Sequence, residues 1–152
     1  MLLTQILKKS SVIVPLKSTE KEDVITELVD VLANHGLLKD RDTVLESVLM
    51  REQTRSTGIG SGIAIPHGKS KGIDELAMAI GIAKKPIDFD SIDSKGVSIV
   101  VMLVSPSGQT GPHIQALAKI SRLMLDEAFR NQLQNAATAD DLYEMIRSKE
   151  AE

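Results

Sequence analysis

Two apolar runs in the second half of the chain constrain its fold more than any other feature. From Leu76 to Ala83, the residues Leu76, Met78, Ile80 and Ile82 alternate with Ala77, Ala79, Gly81 and Ala83, and the run VSIVVMLV from Val97 to Val104 is apolar almost throughout. A period of two marks the first as a strand, and small or apolar side chains on both faces leave neither face for water. Strands of this kind sit in the interior of a sheet that helices cover on both sides.

The helices to cover them are present. Val24, Ile25, Leu28, Val31 and Leu32 form one stripe ending at Gly36, with Thr19 and Glu22 spaced as a capping box. Val44, Leu45, Val48 and Leu49 form a second stripe behind Asp40 or Asp42 as cap, with Arg51 and Glu52 at its end. Pro112 suits the first turn of a third helix that carries Ile114, Leu117, Ile120, Met124 and Leu125. A short helix is expected around Ala128 to Gln134, and Thr138 with Asp141 opens a closing helix with Leu142, Met145 and Ile146. At the other end, Leu2, Leu3, Ile6 and Leu7 have helical spacing, and Ser11 to Leu16 reads as an edge strand closed by Pro15. Helices and strands interleave without a repeat or a low-complexity linker, which predicts one α/β domain over residues 1–152.

Composition narrows the function. A net charge of −3 gives no general footprint for nucleic acid or an anionic membrane surface. No run of eighteen or so apolar residues is present, and the charges of MLLTQILKKS follow its short apolar part, so neither membrane insertion nor a secretion signal is expected and the cytoplasm is the default location. The absence of cysteine excludes disulfides and thiolate catalysis. The three histidines, His35, His67 and His113, form no H-x-x-x-H or H-E-x-x-H pair, so no metal is expected.

The stretch STGIGSGIAIPHG from Ser56 to Gly68 carries the chemistry. Gly58, Gly60 and Gly62 make a poor helix but can expose backbone N–H groups to anionic oxygens. Ile63, Ala64, Ile65 and Pro66 read as a short buried strand that delivers His67 on a stiff leader. A Walker loop is excluded, because Gly68, Lys69 and Ser70 would need a glycine at position 63, which is Ile63. Arg51 and His113 also fall at the ends of predicted elements, where side chains can converge. Spacing alone leaves each with a structural alternative: a plain turn, a packed histidine, a helix-end cation, a helix-start residue. Thr57 and Ser61 are equally readable as turn formers or as phosphate contacts beside Gly58.

The run REQTRSTGIGSGIAIPHGK from Arg51 to Lys69 resembles the signature of the fructose and mannitol type of enzyme IIA domain in the bacterial phosphoenolpyruvate-dependent sugar phosphotransferase system, a family that includes the nitrogen-regulatory IIA proteins. The similarity continues through PIDFDSID from Pro86 to Asp93, the strand to Val104 and HIQALAKISRLM from His113 to Met124, while Gly111 and Pro112 vary the loop before His113. The resemblance implies an α/β/α sandwich around a mixed central sheet and no cofactor. It implies that His67 is phosphorylated on its Nε2 (tele) nitrogen, supported by His113 and clamped by Arg51. An HPr-like phosphocarrier would be the donor, and a IIB domain or a regulatory protein the target. That chemistry suits the residues, since a neutral imidazole is a nucleophile near physiological pH and the guanidinium fork matches phosphate oxygens.

Within that family a IIB module would need a cysteine and a IIC module would need membrane spans. Neither is present here, so a stand-alone IIA is expected, and the nitrogen-regulatory kind is favoured over a separately encoded sugar-specific IIA. A binding module that keeps the fold without transferring phosphate is the reading from another class.

Overall fold

The computed structural model describes residues 1–152. Its strands are β1 (Leu7–Ile13), β2 (Gly58–Gly60), β3 (Ile63–Ala64), β4 (His67–Ser70), β5 (Ala77–Ile87) and β6 (Val97–Pro106). Its helices are α1 (Lys21–Asn34), α2 (Arg41–Thr54), α3 (Thr110–Leu123), α4 (Glu127–Gln134) and α5 (Ala139–Glu150), and a 3-10 turn spans Leu3–Gln5. The strands form one mixed sheet in the order β1-β5-β6-β3-β2, with β4 also alongside β6. The β5–β6 and β2–β3 pairs are antiparallel, whereas β1–β5, β3–β6 and β4–β6 are parallel.

The two apolar runs are the centre of this sheet, and their alternation divides the core into two layers. Met78, Ile80 and Ile82 of β5 face the same side as Ile99, Val101 and Leu103 of β6, where α3, α4 and α5 cover them with Ala116, Ile120, Phe129, Leu133, Leu142 and Ile146. Ala77 and Ala79 of β5 face the other side with Val97, Val100, Met102 and Val104 of β6. There α1 and α2 contribute Val24, Ile25, Leu28, Leu32, Val44 and Val48. Burying each large aliphatic side chain is worth about 1.5–3 kcal/mol, which makes these two faces the main source of stability.

Several ends of elements match the sequence expectations and several do not. Gly36 sits at φ +72° and closes α1 as a Schellman motif, its N–H reaching the Ala33 carbonyl at 3.1 Å while Leu37 N–H reaches Leu32 at 3.1 Å. Asp40 caps α2 by accepting from Thr43 N–H at 3.2 Å, and Thr138 caps α5 by accepting from Asp141 N–H at 3.1 Å. The Thr19/Glu22 capping box does not form, because α1 begins at Lys21 behind Glu20 and no side chain caps it. The expected amino-terminal helix is only the 3-10 turn. The edge strand then begins at Leu7, four residues before the expected Ser11, and ends at Ile13.

Two glycines set how α2 lies against the sheet. The Gly72 carbonyl accepts from Lys39 N–H at 2.7 Å and Asp40 N–H at 3.0 Å, which pins the start of α2 to the turn after β4. A Cβ at Gly68 would stand 3.2 Å from the backbone of Ser47 and Val48, so the missing side chain lets the middle of α2 approach β4 closely. The helix therefore runs antiparallel to β4 and brings its last turn, with Arg51 and Glu52, to the His67 end of the strand. Gly81 plays a similar part on β5, its absent Cβ leaving room for the Leu16 side chain.

Candidate functional site

Strands β3 and β4 are one line of chain beside β6, broken at Ile65 and Pro66. Ala64 is in register with Val100 and His67 with Leu103, three residues further along both strands. Pro66 has no N–H for the ladder, though its carbonyl still accepts from Leu103 N–H at 3.0 Å. His67 begins β4 immediately after this break, half-buried and in register with Leu103 of the central strand β6.

Its imidazole is oriented by its own leader. Nδ1 of His67 lies 2.7 Å from the Ile65 carbonyl. A carbonyl only accepts, so Nδ1 carries the proton and Nε2 keeps its lone pair. Burial lowers the pKa of His67 below its ordinary 6.5, and the positive charge of Arg51 adds to this, while the hydrogen bond to Ile65 and the charge of Glu52 push the other way.

His113 comes to His67 from the first turn of α3, with ring centroids 5.6 Å apart and planes inclined at 54°. It is 5% exposed and its Nδ1 is 2.6 Å from Oγ of Ser105, itself fully buried on β6. Burial lowers the pKa of His113 to about 4, with the neighbouring His67 and Lys69 acting in the same direction. Both histidines are therefore neutral near pH 7. Arg51 stands at the end of α2, its Nη1 donating to the Arg55 carbonyl at 2.9 Å. The structure thus brings together His67, His113 and Arg51 from three separate elements.

The glycine stretch is built differently from an open cradle. Gly58–Gly60 forms β2, which pairs with β3. Ser61 N–H donates to Asp93 at 3.1 Å, Gly58 N–H to Ser56 Oγ at 3.0 Å, and Thr57 N–H to Glu52 at 2.8 Å. Thr57 is buried and its hydroxyl also donates to Glu52, whereas Ser61 is exposed at φ +59°. Thr57, Gly58 and Ser61 lie in the loop that leads to His67 with those amides already engaged.

Two residues of the neighbourhood have no role in the sequence reading. Glu52, 5% exposed, takes two hydrogen bonds from Thr57 and an ion pair from Lys21 at 2.9 Å, so it ties α1, α2 and the glycine loop together beside Arg51. Ser105 is the other. The one signal for Glu52 in the sequence is its place next to Arg51, and the one for Ser105 is that it is the first polar residue after the apolar run to Val104. On α3 the buried stripe is His113, Ala116 and Ile120, while Ile114, expected inside, is 59% exposed; Leu125, also expected on this helix, lies beyond its end and is 78% exposed. The helix is turned so that a histidine takes the inward position.

No cluster of three or more histidine and carboxylate groups suited to a metal ion exists, and no helix is long and apolar enough to cross a membrane. Known proteins place this arrangement. Residues 5–149 match the family described as "Phosphoenolpyruvate-dependent sugar phosphotransferase system, EIIA 2". The chain is 38% identical over 146 residues to the fructose-specific EIIABC component of Bacillus subtilis, a match covering 96% of this chain but 23% of that much longer protein. It is 33% identical over 145 residues to the nitrogen regulatory protein of Pseudomonas aeruginosa, covering 95% of this chain and 94% of that one. Among solved structures, nitrogen regulatory protein IIA-Ntr of Neisseria meningitidis superimposes with a TM-score of 0.87 at 28% identity, covering 95% of this chain and 98% of that one. With the family matched along nearly its whole length and the same sandwich found in a solved member, this chain belongs to the type 2 enzyme IIA family of the phosphoenolpyruvate-dependent sugar phosphotransferase system.

Proposed function

We propose that this chain is a phosphoryl carrier in which Nε2 of His67 takes the group from an HPr-like phosphocarrier and yields it to a partner. The observation that carries this reading is the hydrogen bond from His67 Nδ1 to the Ile65 carbonyl, which leaves Nε2 as the free nucleophilic nitrogen. In the transfer, the Nε2 lone pair forms the new N–P bond as the N–P bond of the donor phosphohistidine breaks, and the electron pair returns to the donor ring. No proton moves, because Nδ1 of His67 keeps its own and the donor ring, protonated on its other nitrogen, leaves as neutral imidazole.

Charge in such a transition state spreads over the equatorial oxygens, so the protein's part is alignment and electrostatic support. The Arg51 guanidinium supplies the fixed positive charge beside His67, and its planar fork suits two phosphoryl oxygens. Neutral His113 supplies one N–H. Thr57, Gly58 and Ser61 are assigned here to the shape of the loop, since the amides of all three are occupied by Glu52, Ser56 and Asp93. Exposed Met50 and Ile114, flanking Arg51 and His113 in sequence, are suitable apolar contacts for the docked carrier.

Incubation with phosphoenolpyruvate, enzyme I and an HPr-type carrier should label the wild type with acid-labile phosphate. His67→Ala should abolish the label, and full labelling of that variant would refute the assignment. His113→Ala and Arg51→Ala should each retain the acceptor but take the group more slowly, by roughly 10²-fold for a lost transition-state donor.

The downstream partner has two readings. Nearly full mutual coverage with the nitrogen regulatory protein of Pseudomonas aeruginosa supports a regulatory IIA whose partners sense the state of His67. The 38% identity to the fructose-specific protein supports delivery to a IIB domain. Passing label from the loaded chain to the cysteine of a fructose-type IIB separates them: rapid transfer supports the sugar route, and retention of label supports the regulatory one.

A further inference from the structure

We propose that Ser105 is a positioning residue that locks His113 in the tautomer carrying its proton on Nε2. Ser105 is fully buried near the end of β6, and its Oγ lies 2.6 Å from Nδ1 of His113, its one hydrogen-bond partner. A serine hydroxyl can donate or accept, and a neutral imidazole nitrogen does one or the other, so the pair has two possible arrangements. If Nδ1 carried the proton, it would donate to Oγ and leave the hydroxyl hydrogen buried without an acceptor. If Nδ1 is bare, the hydroxyl donates to it and both groups are satisfied. Stranding a buried donor costs the full desolvation of that group, which decides for the second arrangement.

The consequence rests on the carrier reading of His67. With Nδ1 engaged by Ser105, the only donor His113 can offer is Nε2–H, on the other side of the ring from β6. Without the hydroxyl, the proton is free to move to Nδ1, where it points into β6 and is lost to the phosphoryl group. The placement is economical. Leu103 is in register with His67 and Ser105 with Lys69, so the residue that sets the His113 tautomer stands two positions along β6 from the partner of the phosphoryl acceptor. Alternation puts Ser105 on the face of Leu103, the face on which α3 delivers His113. A strand apolar from Ile99 to Val104 thus carries its one buried hydroxyl where the helix presents its one buried histidine.

Long-range ¹⁵N–¹H correlation spectra of the histidine rings near pH 7 test this on the intact, unphosphorylated chain. His113 should show a single Nε2–H tautomer in the wild type. Ser105→Ala should shift population toward Nδ1–H and slow phosphoryl uptake from the carrier roughly tenfold, as expected for a misaligned donor. Ser105→Thr, which keeps the hydroxyl, should restore both. A wild-type His113 protonated on Nδ1 overturns the proposal even if the alanine variant fails to fold, and so does a folded Ser105→Ala with unchanged tautomer or unchanged uptake. A wild type that no carrier can phosphorylate would sink the carrier reading instead, and the ring spectra would still decide the tautomer.

Discussion

At the scale of single residues, the site is a balance between burial and charge. His113 is held neutral because burial disfavours its imidazolium. The unfolded chain titrates this group near 6.5 and the folded one near 4, so between those values the unfolded state binds a proton that the native state refuses. The stability tied to neutral His113 is complete above about pH 6.5 and drains as pH falls toward about 4, by at most about 1.4 kcal/mol per pH unit. His113→Gln has no such group. The stability difference between wild type and variant, from urea unfolding at steps between about pH 7 and 4, should shrink as acid is added, and parallel curves would remove His113 as its source. Glu52 is the opposite case, a buried carboxylate that pairs with Lys21 and accepts two hydrogen bonds from Thr57. Glu52→Ala leaves the Thr57 amide and hydroxyl without partners and the half-buried Lys21 ammonium with only the Phe89 carbonyl at 3.4 Å and the exposed Asp90 carboxylate at 3.8 Å, and breaking such a pair costs about 3–5 kcal/mol. Glu52→Gln retains an acceptor for Thr57 and should lose less. Equal melting temperatures for the two variants would show that the ion pair and not the loop contact governs stability.

At the scale of elements, legibility followed how far each element obeys one rule. The interior strands were legible because apolar residues on both faces have few other destinations, and the Gly36 stop and the Asp40 and Thr138 caps because their signals are local. Strands β2 and β4 were not, since GIG and HGKS carry no apolar alternation and exist only through pairing with β3 and β6. The facing of α3 was misread for a physical reason: periodicity assigns the core to Ile114, whereas the bond from Ser105 makes His113 a satisfied buried residue and rotates Ile114 outward. The convergence of His67, His113 and Arg51 came from the family resemblance, and what enforces it for Arg51, the close approach of α2 to β4, was invisible in the sequence. Gly68 is the test of that approach. Its added Cβ would meet helix backbone at 3.2 Å, atoms that cannot swing aside as a side chain would. Gly68→Ala should therefore destabilise by about 1–3 kcal/mol, the usual range for overpacking. The same displacement carries Arg51 away from His67, so phosphoryl uptake should fall while His67 remains the labelled residue. Wild-type melting and uptake would mean that α2 does not need the glycine.

At the scale of the whole molecule, the two ends of the chain close on each other beside the sheet edge farthest from the glycine loop. Glu150, the last residue of α5, has a side chain only 2% exposed and accepts from the amides of Leu3 and Thr4 and from the Thr4 hydroxyl. Lys119 of α3 completes the clasp, 3.3 Å from the same carboxylate and donating also to the Met1 carbonyl. The carboxylate thus satisfies the amides that open the 3-10 turn and fixes the entry to β1. The row Leu7, Met78, Leu103 and His67 runs straight across β1, β5, β6 and β4, so the clasp and the site share one level of the sheet with two central strands between them. Whether a disturbance crosses that row depends on β5 and β6, whose buried faces are packed by both core layers and have little freedom to yield. Glu150→Ala should accordingly lower the melting temperature, in line with about 3–5 kcal/mol for an uncompensated buried charge, and raise amide exchange in residues 1–13. Acid-labile labelling of His67 should keep its wild-type rate. A variant that melts early and also loses labelling would show that the sheet transmits strain from its edge to the histidine, and the rigid central pair would then be the wrong description of what holds His67 in place.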